Sequence, residues 1–192
     1  MNRRHALFGT VGLAAAGFGA WLARRGSPAE APMPALPPRP ASAADAFWMA
    51  RFERLDGSEL AARQLRGQPL LLNFWATWCA PCVRELPEIQ QFLAAQPGWQ
   101  GLALAIDRKE AVQDFLAKLP LQIPMALGGV QGLELGRQLG NTQGGLPFSV
   151  VFDARGEVFW RRLGALQAGE LEAVARALAA GQPAPEAGKT GA

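Results

Sequence analysis

At 192 residues, with 49% hydrophobic and 18% charged side chains, the chain is long enough for one domain with a real core plus extra tail segments. Its net charge of +3 is concentrated at the start: residues 1–40 hold five arginines against one glutamate, leaving 14 basic against 15 acidic residues beyond, so the domain lacks the basic footprint of a nucleic-acid binder. Two cysteines, Cys79 and Cys82, and a lone histidine, His5, exclude a four-ligand Cys/His zinc site within one chain, a histidine-based catalytic unit in the domain and a disulfide-stapled mini-fold.

The basic start MNRRH is followed by Ala6–Ala23 without a charge, so residues 1–25 read as an export signal or a membrane anchor. As a helix this stretch would rise about 27 Å, close to the roughly 30 Å of a hydrocarbon core. Gly9, Gly12, Gly17 and Gly19 make it a poorer helix than a leucine-rich span. Arg3-Arg4 ahead of Leu7 and Phe8 loosely resembles a twin-arginine signal, and Ala29-Glu30-Ala31 offers a small-x-small cleavage pattern, with Arg24 and Arg25 between them as a hindrance to processing. Anchor and cleaved signal both stay open, with a buried core helix as the third reading. Either of the first two places the domain outside the cytoplasm, in the periplasm.

Residues 26–45 carry six prolines among many alanines and read as a semi-rigid spacer. A folded unit is expected over 46–180, and the tail 181–192, GQPAPEAGKTGA, lacks any apolar pattern and reads as disordered. Within the unit, Phe47–Leu55, the turn Asp56-Gly57 and Ser58–Leu65 predict a hairpin running into a short helix. Pro69–Trp75 is a continuous apolar run suited to a strand buried on both faces. A helix follows from Cys79, with Val83, Leu86, Ile89, Gln90 and Leu93 near one face. Trp99–Ile106 predicts a strand and Glu110–Leu119 a helix. Phe148–Phe152 and Glu157–Leu163 pair across Asp153–Gly156, and Ala168–Ala180 closes as a helix. The order β, α, β, α, β, β, α predicts an α/β fold with helices on both faces of a mixed sheet.

The cysteine pair falls where the first core strand hands over to its helix. A sulfur there faces unpaired backbone N–H groups and the positive end of the helix dipole, both of which favour thiolate. Helix starts and Cys-X-X-Cys settings lower a cysteine pKa from about 8.5 into a range of about 3.5 to 7.5. Cys79 is then the nucleophile toward a substrate disulfide, and Cys82, one turn on, is close enough to resolve the mixed disulfide. Pro81 suits the first helical turn and stiffens the loop between the sulfurs.

Asn73-Phe-Trp-Ala-Thr-Trp-Cys79-Ala-Pro-Cys82 resembles the active-site segment of the thioredoxin superfamily, and more narrowly that of exported TlpA-like disulfide reductases, among them the tethered reductases of cytochrome c maturation. Pro87, where that family kinks its active-site helix, and Gly145-Leu146-Pro147, which matches its cis-proline loop, extend the likeness over roughly residues 52–178. The resemblance implies a thioredoxin fold with an N-terminal hairpin, an insertion over about 120–142, no cofactor and no metal. It implies a substrate-facing surface built from Trp78, Ala80, Pro81, Leu146 and Pro147. It further implies protein disulfide substrates and a membrane electron-donor thiol protein, with the inner membrane as partner if the N-terminus stays uncleaved.

Two departures from thioredoxin stand out. Asn73 occupies the place of a buried aspartate, and an amide does not accept the proton of Cys82, so Glu85, one turn beyond, is the candidate acid for that role. Leu146 replaces the usual threonine or valine before the proline, which bears on substrate selectivity. Plainer readings stand beside these: a structural bridge or half of an intermolecular zinc site for the cysteines, a solvated helix face for Glu85 with Glu88, a trans turn for Pro147, and core packing for Trp75. At the level of function, the alternative to a disulfide reductase is a binding or holdase module that uses the apolar groove without turnover.

Overall fold

The computed structural model of the chain describes residues 42–188. The signal or anchor expected over 1–25 and most of the expected spacer lie outside these residues. Helix α1, Ala43–Met49, opens the described part, with Ser42 as its cap: the Ser42 hydroxyl oxygen accepts the Asp45 N–H at 3.1 Å. Strands β1 (Arg51–Arg54) and β2 (Glu59–Ala61) form the hairpin, and a single 3-10 turn, Ala62–Leu65, follows. Then come β3 (Leu70–Trp75), α2 (Ala80–Ala95), β4 (Gln100–Ala105), α3 (Lys109–Lys118), β5 (Met125–Leu127), α4 (Gly129–Gln138), β6 (Phe148–Phe152), β7 (Val158–Leu163) and α5 (Glu170–Ala179). None of these helices is long and apolar enough to cross a membrane.

The strands form one seven-stranded sheet in the order β2-β1-β5-β4-β3-β6-β7. β3, β4 and β5 run parallel, while β1, β6 and β7 pair antiparallel with their neighbours. All six β3 side chains are buried, as a continuous apolar run requires when both sheet faces are covered. Alternation divides them. Leu70, Leu72 and Phe74 join Leu102, Leu104, Phe148, Val150 and Phe152 on the face covered by α1 and α4. Leu71 and Trp75 join Ala103, Ala105, Val151 and Trp160 under α2, α3 and α5. This is the thioredoxin fold with its N-terminal hairpin and its insertion, β5–α4, before the proline loop.

Three departures from the expected elements have physical causes. Phe47–Met49 is helical rather than the start of a strand, because Phe47 and Trp48 are consecutive and both buried, which a strand with one covered face cannot do. Phe47 stacks on Phe152 with centroids 4.9 Å apart, and the Trp48 indole N–H donates to the Gly156 carbonyl at 2.7 Å. The helix therefore begins inside the expected spacer, at Ala43 rather than after residue 45. Second, β5 and α4 occupy a region read only as an insertion. Gly132 lets α4 lie against β4, since a Cβ there would meet Ile106 Cδ1 at 2.7 Å. Third, the tail is docked over 181–188: Ala184 packs on the second core face, and the Gly188 N–H donates to Glu170 Oε1 at 2.7 Å.

Candidate active site

β3 delivers the chain to the site. At its end the Trp75 carbonyl accepts the Ile106 N–H at 2.7 Å, and a turn closes with the Cys79 N–H on the Ala76 carbonyl at 3.2 Å. Thr77 is fixed from outside by Asp107 beyond β4, whose Oδ2 accepts the Thr77 N–H at 2.9 Å and the Thr77 hydroxyl at 2.6 Å. Partial burial works against the charge of Asp107, but these bonds and the Arg108 N–H hold its carboxyl below the usual carboxylate range. Nothing in the spacing of residues 73–82 pointed to Asp107. Its partner is thirty residues away in sequence, and only the pairing of β3 with β4 brings the two loops together.

Cys79 is the N-cap of α2, with its sulfur accepting the Cys82 N–H at 3.3 Å and Pro81 in the first turn. The two sulfurs are joined as a disulfide across a Cα–Cα distance of 5.3 Å. Cys79 keeps 6% of its surface exposed and Cys82 none, so the cap-position sulfur is the one nearer solvent. Beside them Trp78 is 69% exposed, Ala80 is exposed and Pro81 half-buried, whereas Trp75 is wholly buried, 5.2 Å from the Phe115 ring. Trp75 is thus core, as its plainer reading held.

The Leu146–Pro147 peptide is cis. It leads into β6, whose first residue, Phe148, pairs with Phe74, so the proline lies at the same end of the sheet from which the cysteine loop departs. Asn141, buried, brackets this loop: its Nδ2 donates to the Gly145 carbonyl at 2.8 Å and its Oδ1 accepts the Gly145 N–H at 3.1 Å. Leu146 is half-buried and touches both core faces.

Glu85 points inward. It is 3% exposed, which removes the solvated-face reading. Its Oε1 accepts from Asn73 Nδ2 at 2.8 Å, and its Oε2 accepts the Leu166 N–H at 3.0 Å. Asn73 Nδ2 also donates to the Ser149 hydroxyl at 3.0 Å. Burial pushes the Glu85 carboxyl above the usual range, against the pull of its two hydrogen bonds. Asn73 is therefore a donor to Glu85, and the ionisable group of this pair sits on the helix, not on the strand.

The redoxin family pattern matches residues 32–178, more than half of the chain. The chain belongs to the redoxin family. Among curated relatives, this redoxin is 31% identical over 123 residues to a thiol-disulfide oxidoreductase ResA of Bacillus cereus, an alignment covering 62% of this chain and 68% of the relative. It is 25% identical over 127 residues to the sporulation thiol-disulfide oxidoreductase A of Bacillus subtilis (strain 168), covering 63% and 74%. A solved structure described as a putative thiol:disulfide interchange protein DsbE from Chlorobium tepidum superposes with a TM-score of 0.59 at 26% identity, over 68% of this chain and 91% of that one. These likenesses bear out the thioredoxin-superfamily, TlpA-like reading of the ten-residue run.

Proposed function

We propose that this redoxin is a thiol-disulfide oxidoreductase that works outside the cytoplasm, reducing disulfides in exported proteins. The observation that carries the reading is the bonded Cys79–Cys82 pair at the start of α2, with the outer sulfur at the cap and the inner one shielded. In the reduced protein the Cys79 thiolate attacks one sulfur of a substrate disulfide, forming a mixed disulfide and expelling the other substrate sulfur as a thiolate. Cys82 then attacks Cys79 Sγ, the Cys79–substrate bond breaks, and the second substrate thiol leaves. Two electrons pass to the substrate, and the redoxin is left in the disulfide form seen here.

The proton of Cys82 has to leave before its sulfur can attack. Glu85, one helical turn along, is the acceptor in this reading, and burial raises its proton affinity above that of an ordinary carboxylate, in the direction a proton acceptor needs. Trp78, Ala80, Pro81 and Leu146 offer the surface on which the substrate segment lies, and the buried Pro147, through its cis bond, sets the course of the loop beside it. A thiol protein of the membrane returns the redoxin to its dithiol form, and the N-terminal segment carries the domain across the membrane or holds it there. The names of the relatives support the chemistry, and the uncharged run Ala6–Ala23 supports the location.

Insulin reduction by dithiothreitol tests the reading against a holdase module. The wild type should hasten insulin precipitation and Cys79→Ala should not. Equal rates for the two would leave only the binding reading.

A further inference from the structure

Beneath the cysteine pair, a polar row crosses three strands on a face that is otherwise apolar. Asn73 of β3 pairs with Ser149 of β6, and Ser149 pairs with Arg162 of β7, so the three side chains stand on one face in line. Arg162 has only 15% of its side chain exposed. Its Nη1 lies 3.3 Å from Glu170 Oε1, its Nη2 donates to the Ala165 carbonyl at 3.1 Å, and its Nε, buried, has no partner.

The Ala165 carbonyl and the Leu166 N–H belong to one peptide group. Arg162 therefore grips its oxygen while Glu85 Oε2 takes its hydrogen. A guanidinium at one end and a carboxylate at the other polarise this peptide in the same sense, which strengthens both bonds in a low-dielectric interior. Arg162 is also shared. Glu170, 3% exposed, accepts from Arg162, from the Gln167 N–H at 3.0 Å and from the Gly188 N–H at 2.7 Å, so the docked tail closes over the same ion pair.

We propose that Arg162 is a positioning residue for the disulfide chemistry: acting through the Ala165–Leu166 peptide, it holds the Glu85 carboxylate in place and keeps it ionisable, while Glu170 limits how much of that charge Glu85 feels. The proposal rests on Glu85 as the acceptor of the Cys82 proton. The charged and titratable groups around Glu85 are Glu88 on its own helix, Arg162 from β7, Glu170 from the start of α5 and, in the reduced protein, the two cysteine sulfurs. Asn73 and Ser149 are neutral. Of these, Glu88 raises the proton affinity of Glu85 in the same sense as the larger effect of burial, and Arg162 lowers it.

The test is a titration of the Glu85 side-chain carboxyl in the full oxidised protein, by carbon NMR of glutamate-labelled samples, with the resonance assigned by its absence in Glu85→Gln. Arg162→Met should raise the midpoint, Arg162→Lys should bring it back toward the wild type, and Glu170→Gln should lower it. Opposite shifts are the signature, because general loosening of the site would move both variants the same way. An unchanged midpoint in Arg162→Met, or shifts of one sign in Arg162→Met and Glu170→Gln, would overturn the proposal. Should Arg162→Met fail to fold, Glu170→Gln decides alone: a lowered midpoint supports the coupling and an unchanged one refutes it. In single-turnover release of a mixed disulfide, Arg162→Met should also move the acid limb of the rate to higher pH, costing about tenfold in rate per unit of movement. If Glu85→Gln kept that acid limb while the midpoints moved as stated, the proton-acceptor reading would fail and the Arg162 coupling would stand.

Discussion

Glu85 and Asp107 are two acids at one site whose environments push them in opposite directions, and the signs of their pH effects differ accordingly. Glu85 binds its proton more tightly in the fold, because burial outweighs its hydrogen bonds, so its contribution favours the folded state below the ordinary value of 4.5 and is lost as pH rises through the folded midpoint. Asp107 binds its proton less tightly, so its contribution is present above 3.8 and lost as pH falls through its own lowered midpoint. In denaturant unfolding followed across pH, Glu85→Gln should gain stability relative to the wild type as pH rises from mildly acidic to neutral. A gain that does not grow with pH would contradict the burial account. Asp107→Asn should instead lose stability relative to the wild type near neutrality and converge with it in strong acid, where the wild-type carboxyl is also protonated. At this scale the sequence discloses the cysteines and the proline loop, because their chemistry is local and carried within a few residues. It does not disclose the Asn73–Ser149–Arg162 row, which exists only through the register of β3 on β6 and β6 on β7.

Among the elements, α1 shows how a helix can be hidden in a proline-rich approach. Its seven residues are too few for a 3.6-residue period to stand out, and its aromatic pair imitates the start of a strand. Its value to the fold lies in Trp48, which is buried, bonded to the β6–β7 turn through Gly156, and covered by Arg66 at 5.1 Å from its ring. Gly156 itself has φ +89°, and a Cβ there would meet the indole nitrogen at 2.8 Å, so turn and helix are fitted to each other. Trp48→Ala should cost about 3–5 kcal/mol of unfolding free energy, as truncation of a buried aromatic does. Trp48→Phe should cost about 1–3 kcal/mol, because the carbonyl of buried Gly156 is left without its donor. Denaturant melts of the two variants check both, and a loss under about 1 kcal/mol for Trp48→Ala would mean that α1 is dispensable to the core. The pair β5–α4 was illegible for other reasons. Pro124 breaks the approach to a three-residue strand, and the glycines of α4 lower its helix propensity while permitting its close seat on β4. By contrast β3, α2, β4, β6 and β7 were readable because each has a long apolar run or a clear turn beside it.

Across the whole molecule, the sheet gathers at one end the pieces that its order in sequence keeps apart. The parallel strands β3 and β4 finish there, followed by the cysteine loop and by Asp107, and β6 begins there after the cis Leu146–Pro147 peptide. β7 ends at the same edge, with Leu163 opposite Phe148, and the loop beyond it reaches back to Glu85 through Leu166. The loop beyond β7 thereby covers Glu85, and Cys79, with exposed Trp78 beside it, is left as the less buried of the two cysteines. The division of labour between the two sulfurs is the claim on which the rest depends. It is tested most directly by trapping: Cys82→Ala and Cys79→Ala, each reduced and then mixed with a disulfide-bonded protein, are run on a non-reducing gel. Capture requires the nucleophile and release requires the resolving thiol, so Cys82→Ala should accumulate a mixed disulfide through Cys79, and Cys79→Ala should accumulate none. Equal trapping by the two variants, or trapping by Cys79→Ala alone, would contradict the assignment.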